Sequence, residues 1–121
     1  MRKIDDQEAA NRLSEYLKDR GSYSPEMIKE SLKDWEFIDC GGAVVMIKDN
    51  EIHVAAPKNK RGKWILKGDL YNIIGGLLRK FGVIVTTVSD DNWRGQQFVE
   101  RLGFEYVNGR YEMRSFKYGT L

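Results

Sequence analysis

The segment PKNKRGKW, residues 57–64, concentrates four cationic side chains around one glycine. An extended segment precedes it and an amphipathic helix is predicted to follow, so its amides would lie at a helix N-terminus, where unpaired N–H groups and the helix dipole attract anions. Gly62 allows the backbone to approach a phosphate closely, and Arg61 and Lys63 can add charge-assisted contacts. The segment therefore predicts a pyrophosphate site, although strand-to-helix loops also carry glycine and lysine simply to turn and stay hydrated.

The only histidine of the chain, His53, lies on the strand predicted just before this loop. Alternation along a strand places His53 on the same face as Glu51 and Ala55, and opposite to Val54. Imidazole and carboxylate groups can both take a proton from an ammonium group, directly or through water. His53 and Glu51 are therefore candidate general bases; the alternative is that both are hydrated strand residues.

The first half of the chain predicts two helices followed by antiparallel strands. Residues 5–21 carry apolar side chains at spacings of three and four, and residues 24–34 begin with Ser24 as a capping residue and Pro25 in the first turn. Residues 35–56 are typical of a three-stranded meander, with turn residues between the apolar runs.

A strand–helix–strand crossover is predicted next. Residues 64–80 show the 3.6-residue repeat of an amphipathic helix, and the β-branched run Val83–Val88 is typical of a central strand. We expect Ile52–Ala56 and Val83–Val88 to be adjacent and parallel, since the helix between them returns the chain in a right-handed crossover.

A short helix is predicted over residues 93–102, because Asp91 or Asn92 can cap its start and Gly103 can end it. Three large apolar side chains are expected on one side of this helix: Trp93, Phe98 and Leu102.

The chain is then expected to close with a hairpin, since the Asn108-Gly109 pair supplies the positive φ angles of a type I′ turn. The predicted fold class is α/β with a mixed sheet. It has N-terminal helices, an antiparallel meander, one parallel crossover and the C-terminal hairpin, in a single domain of residues 1–121.

Composition excludes several classes of function. No apolar run approaches the ~20 residues that a membrane span needs, and no signal peptide is evident, so we expect no membrane partner and a cytoplasmic location. The single cysteine, Cys40, is expected to fill space in the core and cannot form an internal disulfide, and one cysteine with one histidine leaves no zinc site of the usual type. The net charge of +2 does not indicate nucleic acid, but residues 1–51 carry −4 and residues 52–121 carry +6, which favours an anion in the second half.

Two segments together resemble the GNAT superfamily of N-acyltransferases. The stretch DNWRGQQFVERLGFE, residues 91–105, is similar to the family's acyl-CoA-binding end, in which an asparagine, a helix and a Leu-Gly-Phe ending follow one another. The stretch KRGKWI is similar to the family's pyrophosphate loop, in which Arg-Gly-x-Gly opens the long helix. A helix and an apolar strand separate the two motifs, as in the family, and the resemblance covers about residues 43–115.

The resemblance implies transfer of an acyl group, in the first place acetyl, from coenzyme A to a primary amine on a small molecule or a protein. It implies a GNAT-like fold as monomer or homodimer, with acetyl-CoA as cofactor, no metal, and His53 and Glu51 as candidate catalytic residues. The cofactor-binding residues implied are Val54, Ala55, Ala56, Arg61, Gly62, Lys63, Trp64, Ile65 and Asn92.

Three positions depart from the family pattern. Trp64 replaces the second loop glycine or alanine, Asn59 replaces a leading Gln or Arg, and Val99 replaces a tyrosine that protonates the leaving thiolate in many members. Short members encoded by phages show similar irregularities. Slow turnover is therefore expected of an enzyme with Val99, and Val99→Tyr is the direct test of this expectation.

Two other functions stay open. One is a catalytically silent GNAT-like binding or virion-associated module, which Trp64 and Val99 favour. The other is a nucleic-acid or host-protein binder using the basic residues 58–67. It ranks third, because aromatic side chains do not alternate with the cations as base stacking requires and the net charge is low.

Overall fold

The computed structural model describes residues 2–57 and 67–115. Within them, four α-helices and seven strands alternate, and the strands form one mixed sheet in the order β1-β2-β3-β4-β5-β7-β6. The predicted mixed sheet is confirmed. In chain order the elements are β1 Arg2–Ile4, α1 Asp6–Tyr16, a 3₁₀ turn Lys18–Arg20, α2 Pro25–Ser31, β2 Glu36–Cys40, β3 Ala43–Lys48, β4 Glu51–Ala55, α3 Lys67–Phe81, β5 Ile84–Thr86, α4 Trp93–Leu102, β6 Glu105–Val107 and β7 Arg110–Met113.

The described chain divides into two compact units. The first unit holds residues 2–48, 53–57 and 67–69, and the second unit holds residues 49–52 and 70–115. Strand β4 begins in the second unit and ends in the first. The single domain over residues 1–121 stays a prediction.

The first unit is built on two capped helices. The Asp5 side chain accepts a hydrogen bond from the Glu8 N–H at 2.8 Å, and the Ser24 hydroxyl accepts one from the Met27 N–H at 3.2 Å, so each helix begins at a side chain that satisfies a free amide. Ser24 is the cap that the sequence predicted. Buried side chains of both helices and of three strands form its core: Ile4, Ala9, Ala10, Leu13, Ile28, Phe37 and Val44.

Two details of the first unit differ from expectation. The first helix, predicted over 5–21, ends at Tyr16 and is followed by the 3₁₀ turn. Strand β1 was not predicted; it pairs antiparallel with β2, with Arg2 opposite Asp39. The strand is only three residues long and two of them are exposed, so the pairing rather than a local pattern defines it.

Charged side chains tie α1 to the sheet of the first unit. The Arg12 guanidinium donates to Asp39 Oδ1 at 2.6 Å and also to the Glu8 carboxylate, which accepts a further hydrogen bond from Arg2 at 3.0 Å. The hydrogen bond from Arg2, with the charges of Arg2 and Arg12, lowers the pKa of the Glu8 carboxyl.

We expect Glu8 to stabilise the fold in a pH-dependent way. Because its pKa is lowered on folding, the contribution is present above the ordinary pKa of a glutamate and is lost as the pH falls through the lowered value. Urea unfolding of wild type and Glu8→Gln at pH 7 and pH 3 measures this. The difference in unfolding free energy should shrink in acid, and a difference that stays constant would contradict the assignment.

The second unit contains the predicted parallel pair. Glu51 of β4 stands opposite Val85 of β5, and the Val85 N–H donates to the Asn50 carbonyl at 2.9 Å. The Asn50 side-chain amide donates to the Val83 carbonyl at 3.1 Å, so Asn50 holds both sides of this junction. The parallel arrangement is confirmed, although β5 is shorter than the predicted strand 83–88.

The C-terminal helix and hairpin form as predicted. Helix α4 has the predicted bounds, Trp93–Leu102, and β6 and β7 pair antiparallel around Asn108 and Gly109, whose φ angles of 53° and 87° are those of a type I′ turn. Strand β7 lies beside β5 and β6 is at the edge of the sheet. Trp93, which the sequence grouped with Phe98 and Leu102 on one side of this helix, is 58% exposed. The buried residues around these elements are Leu70, Ile74, Leu78, Ile84, Val99, Leu102, Phe104, Tyr111 and Met113.

Candidate functional site

His53 lies next to a tryptophan in the first unit. The ring centroids of His53 and Trp35 are 5.5 Å apart and the rings are tilted by 50°. Both residues are half-buried, and both Trp35 and Ala55 pack against the core of this unit. The sequence did not predict the contact with Trp35. The imidazole is therefore part of an aromatic contact rather than a fully hydrated strand residue.

Glu51 shares one face of the second unit with two other carboxylates. Val85 stands opposite both Glu51 and Glu112, and Glu112 stands opposite Glu105, so these side chains lie in one row across three strand pairs. Glu112 is 12% exposed and forms ion pairs with Arg110 at 2.9 Å and Arg114 at 3.3 Å. Glu112 is thus neutralised by two cations, and Glu51, the candidate base of this row, is half-buried.

The strand residues proposed for cofactor binding are small and partly accessible. Val54 and Ala55 are half-buried, and Ala56 is buried at 7% exposure. The loop residues proposed for the pyrophosphate, Arg61, Gly62, Lys63, Trp64 and Ile65, lie outside the described residues. Their role stays a prediction from the sequence.

Asn92 has a structural task at the start of α4. Its side-chain oxygen accepts a hydrogen bond from the Gly95 N–H at 3.1 Å, the N-cap interaction that the sequence predicted. A Cβ atom at Gly95 would lie 2.5 Å from the Asn92 side-chain nitrogen, so the cap requires a glycine at this position. Gln96 donates to the carbonyls of Ser89 and Asp90, which holds the preceding turn in place.

The Leu-Gly-Phe ending also has a local structural explanation. Gly103 adopts the left-handed conformation with φ of 114°, its N–H donates to the Glu100 carbonyl, and the Phe104 N–H donates to the Val99 carbonyl at 3.0 Å. This pair of bonds is a Schellman motif, which commonly brings together apolar side chains at the positions of Val99 and Phe104. Both residues are buried. Val99, where many GNAT members place their tyrosine, is therefore a core residue here.

Gly103→Ala tests whether the Leu-Gly-Phe ending only terminates the helix or also takes part in the acyl-CoA binding that the resemblance implies. A side chain in the left-handed region costs about 1–2 kcal/mol, so the variant should be less stable by this amount, while its affinity for acetyl-CoA should stay unchanged. Gly76→Ala is the matched control, because no atom lies within 4 Å of the added methyl group and a helical alanine is favoured. Loss of acetyl-CoA binding by folded Gly103→Ala, measured by calorimetry, would contradict a purely structural role.

Burial lowers the reactivity of two other side chains, Cys40 and Tyr111. Burial raises the pKa of the Cys40 thiol, so little thiolate forms near neutral pH, in keeping with its predicted role as a small apolar filler. Burial, with the neighbouring Glu100 carboxylate as a further cause, raises the pKa of the Tyr111 hydroxyl. Neither side chain is a good nucleophile or base in this state.

Within residues 2–57 and 67–115 there is no helix of the length and hydropathy that a membrane crossing requires, and no cluster of three or more ligating side chains that could hold a metal ion. No protein-family model matches the chain, and the comparison with curated proteins finds no match. The function must therefore be argued from the site and the order of the elements.

Proposed function

We propose that the protein transfers an acyl group, in the first place acetyl, from coenzyme A to a primary amine, as a GNAT-like N-acyltransferase. The observation that carries this proposal is the order of the elements. Two helices precede an antiparallel pair, β4 and β5 are parallel on either side of α3, and a hairpin follows α4, with β7 placed beside β5. This order supports the proposal, because it agrees with the order of elements that the resemblance implies.

The chemistry asks little of the protein beyond a base and correct placement. An ammonium group loses its proton to His53 or Glu51, and the neutral nitrogen attacks the thioester carbonyl to form the C–N bond. The nitrogen then gives its second proton to water, and the C–S bond breaks to leave the amide and the thiolate of coenzyme A. The thiol of coenzyme A, with a pKa near the ~8.5 of a free thiol, can leave as a thiolate and be protonated by water. This matters because Val99 carries no proton to donate and is buried.

The residues present fit part of the coenzyme. Val54, Ala55 and Ala56 carry no bulky side chain, so a pantetheine arm could lie along this strand. The basic segment 58–63 supplies charge for the phosphates. Asn92 fits less well, since its side-chain oxygen is already used by the helix cap.

A second candidate function is a catalytically silent GNAT-like binding or virion-associated module. One observation favours it: two of the motif positions, Asn92 and Val99, are explained by helix capping and packing alone. Such a module would keep the fold and lose the transfer reaction.

Calorimetry with acetyl-CoA and with coenzyme A tests the proposal. We expect micromolar binding of both, and release of free thiol when acetyl-CoA is mixed with a panel of primary amines. Binding without thiol release would favour the silent module. No binding, together with DNA binding that weakens with salt, would favour the third function, a nucleic-acid or host-protein binder that uses the basic residues 58–67.

Arg61→Ala should weaken acetyl-CoA binding about 10-fold, because one charge-assisted contact contributes roughly 1.5–3 kcal/mol. Arg79→Ala is the matched control, since Arg79 is exposed in the last turn of α3, away from the loop in sequence. Equal affinities of the two variants would remove the Arg61 side chain from the site. Gly62→Val tests the backbone of the same segment. Normal acetyl-CoA binding by that variant would contradict the predicted pyrophosphate site.

A further inference from the structure

Trp35 is held in place independently of the histidine that it contacts. Its backbone N–H donates to the Leu32 carbonyl at 3.1 Å, and its side chain packs against the core of the first unit. This packing holds the ring just before β2, 5.5 Å from the His53 ring. A rigid neighbour of this kind limits the rotamers that the imidazole can adopt.

A general base must present one nitrogen within hydrogen-bonding distance of the proton that it takes, and a displacement of 1 Å can cost about 100-fold in rate. The position of an imidazole nitrogen depends on two side-chain torsions, and a neighbouring ring that restricts them helps to set that position. We propose that Trp35 is a positioning residue that fixes the His53 ring for proton removal from the acceptor amine, a role that rests on the proposed acyl transfer. The contact with the core makes Trp35 suitable for this, because supporting residues must themselves be immobile.

Packing alone would also bring the two rings together, and the experiment must separate the two roles. Trp35→Leu removes the ring, Trp35→Phe keeps an aromatic ring, and Trp93→Leu is the matched control on an exposed tryptophan of the second unit. Circular dichroism establishes that each variant is folded. If Trp35→Leu does not fold, Trp35→Phe carries the test.

Since His53 is the only histidine, its ring protons give NMR signals that need no assignment against others. We expect the ring-current shift of these signals to disappear in Trp35→Leu, to be partly kept in Trp35→Phe, and to be unchanged in Trp93→Leu. In turnover assays Trp35→Leu should lower kcat about 10-fold with the KM for acetyl-CoA unchanged, and Trp35→Phe should restore most of the loss.

The double variant Trp35→Leu/His53→Ala gives the decisive comparison. If Trp35 acts through His53, the double variant should be no slower than His53→Ala alone, because the two residues act as a unit. An additive loss would overturn the proposal, as would a wild-type kcat in Trp35→Leu. A wild type that acylates no amine overturns the proposed function and this role with it. NMR distinguishes that outcome from failed positioning, since the ring-current shift is measured without turnover.

Discussion

His53→Ala is expected to lower kcat by about 10²–10⁴-fold, because that is the usual contribution of a positioned general base. The KM for acetyl-CoA should change little, since in the proposed reaction the imidazole acts on the acceptor amine and not on the coenzyme. The measurement is thiol release at saturating acetyl-CoA with whichever amine the wild type accepts. Circular dichroism and calorimetry with coenzyme A control for the fold and for binding.

Glu51→Gln is the companion to this variant. Glutamine keeps the size of the side chain and removes its capacity to take a proton at neutral pH. If His53 is the base, Glu51→Gln should retain most of the activity, and a larger loss in Glu51→Gln than in His53→Ala would assign proton removal to the carboxylate. Wild-type turnover in both variants would remove β4 from the chemistry.

Val99→Tyr is expected to destabilise the fold by about 1–3 kcal/mol, the usual cost of overpacking a core position. Val99 is 9% exposed and lies in the Schellman motif at the end of α4, opposite the buried Phe104. A tyrosine there must displace core side chains before its hydroxyl can reach solvent. Thermal or urea unfolding measures the cost.

The same variant tests whether the site lacks only an acid. A gain of turnover in Val99→Tyr would indicate a site that lacks only this acid, and no turnover in either protein would favour the silent module. The burial of Val99 adds a stability cost to this test. Val99→Phe is the matched control, because it adds the same ring without the hydroxyl. A rise of turnover in the tyrosine variant alone would indicate that its hydroxyl reaches the leaving thiolate; wild-type stability in both variants would contradict the packing argument.

Elements with local signals could be predicted from the sequence. Ser24 and Pro25 at the start of α2, Asn92 and Gly103 at the ends of α4, and the Asn108-Gly109 turn each act within a few residues of where they stand. Capping and turn chemistry depend on backbone groups close in sequence, so they can be predicted without knowledge of the fold.

Strand β1 could not be predicted, because it depends on a contact between distant parts of the chain. It exists because Arg2–Ile4 pairs with residues 37–39 of β2, and no local pattern marks it. The exposure of Trp93 was not predicted either: in the first turn of α4 it lies under the neighbouring Arg94 guanidinium.

The candidate site was predictable only in part. Alternation along β4 placed Glu51 and His53 on one strand face, but the Trp35 ring comes from a residue 18 positions earlier in the chain. Asn50 is one of the turn residues that the sequence placed between the predicted strands. Its side-chain hydrogen bond to the Val83 carbonyl joins residues 33 positions apart and was not predicted. Polar turn residues and aromatic residues beside strands are common, so neither had a signal that distinguished it.

The resemblance carries a related difficulty. Asn92 and Gly103 match the family motif, and both are also what any helix of this length needs at its ends. A motif that doubles as a cap cannot by itself separate binding of acyl-CoA from ordinary helix formation, which is why calorimetry on Gly103→Ala is informative.

The assignment of residues 49–52 to the second unit has a consequence for dissecting the protein into fragments. A fragment that begins at residue 70 lacks Asn50 and Glu51, so the Val85 N–H loses its acceptor and one side of β5 becomes an open strand edge. Such an edge, carrying Ile84 and Val85, can pair with strands of other chains and so promotes aggregation. A soluble C-terminal half would therefore need a strand equivalent to residues 49–52 grafted ahead of α3, and a simple truncation should be recovered from inclusion bodies.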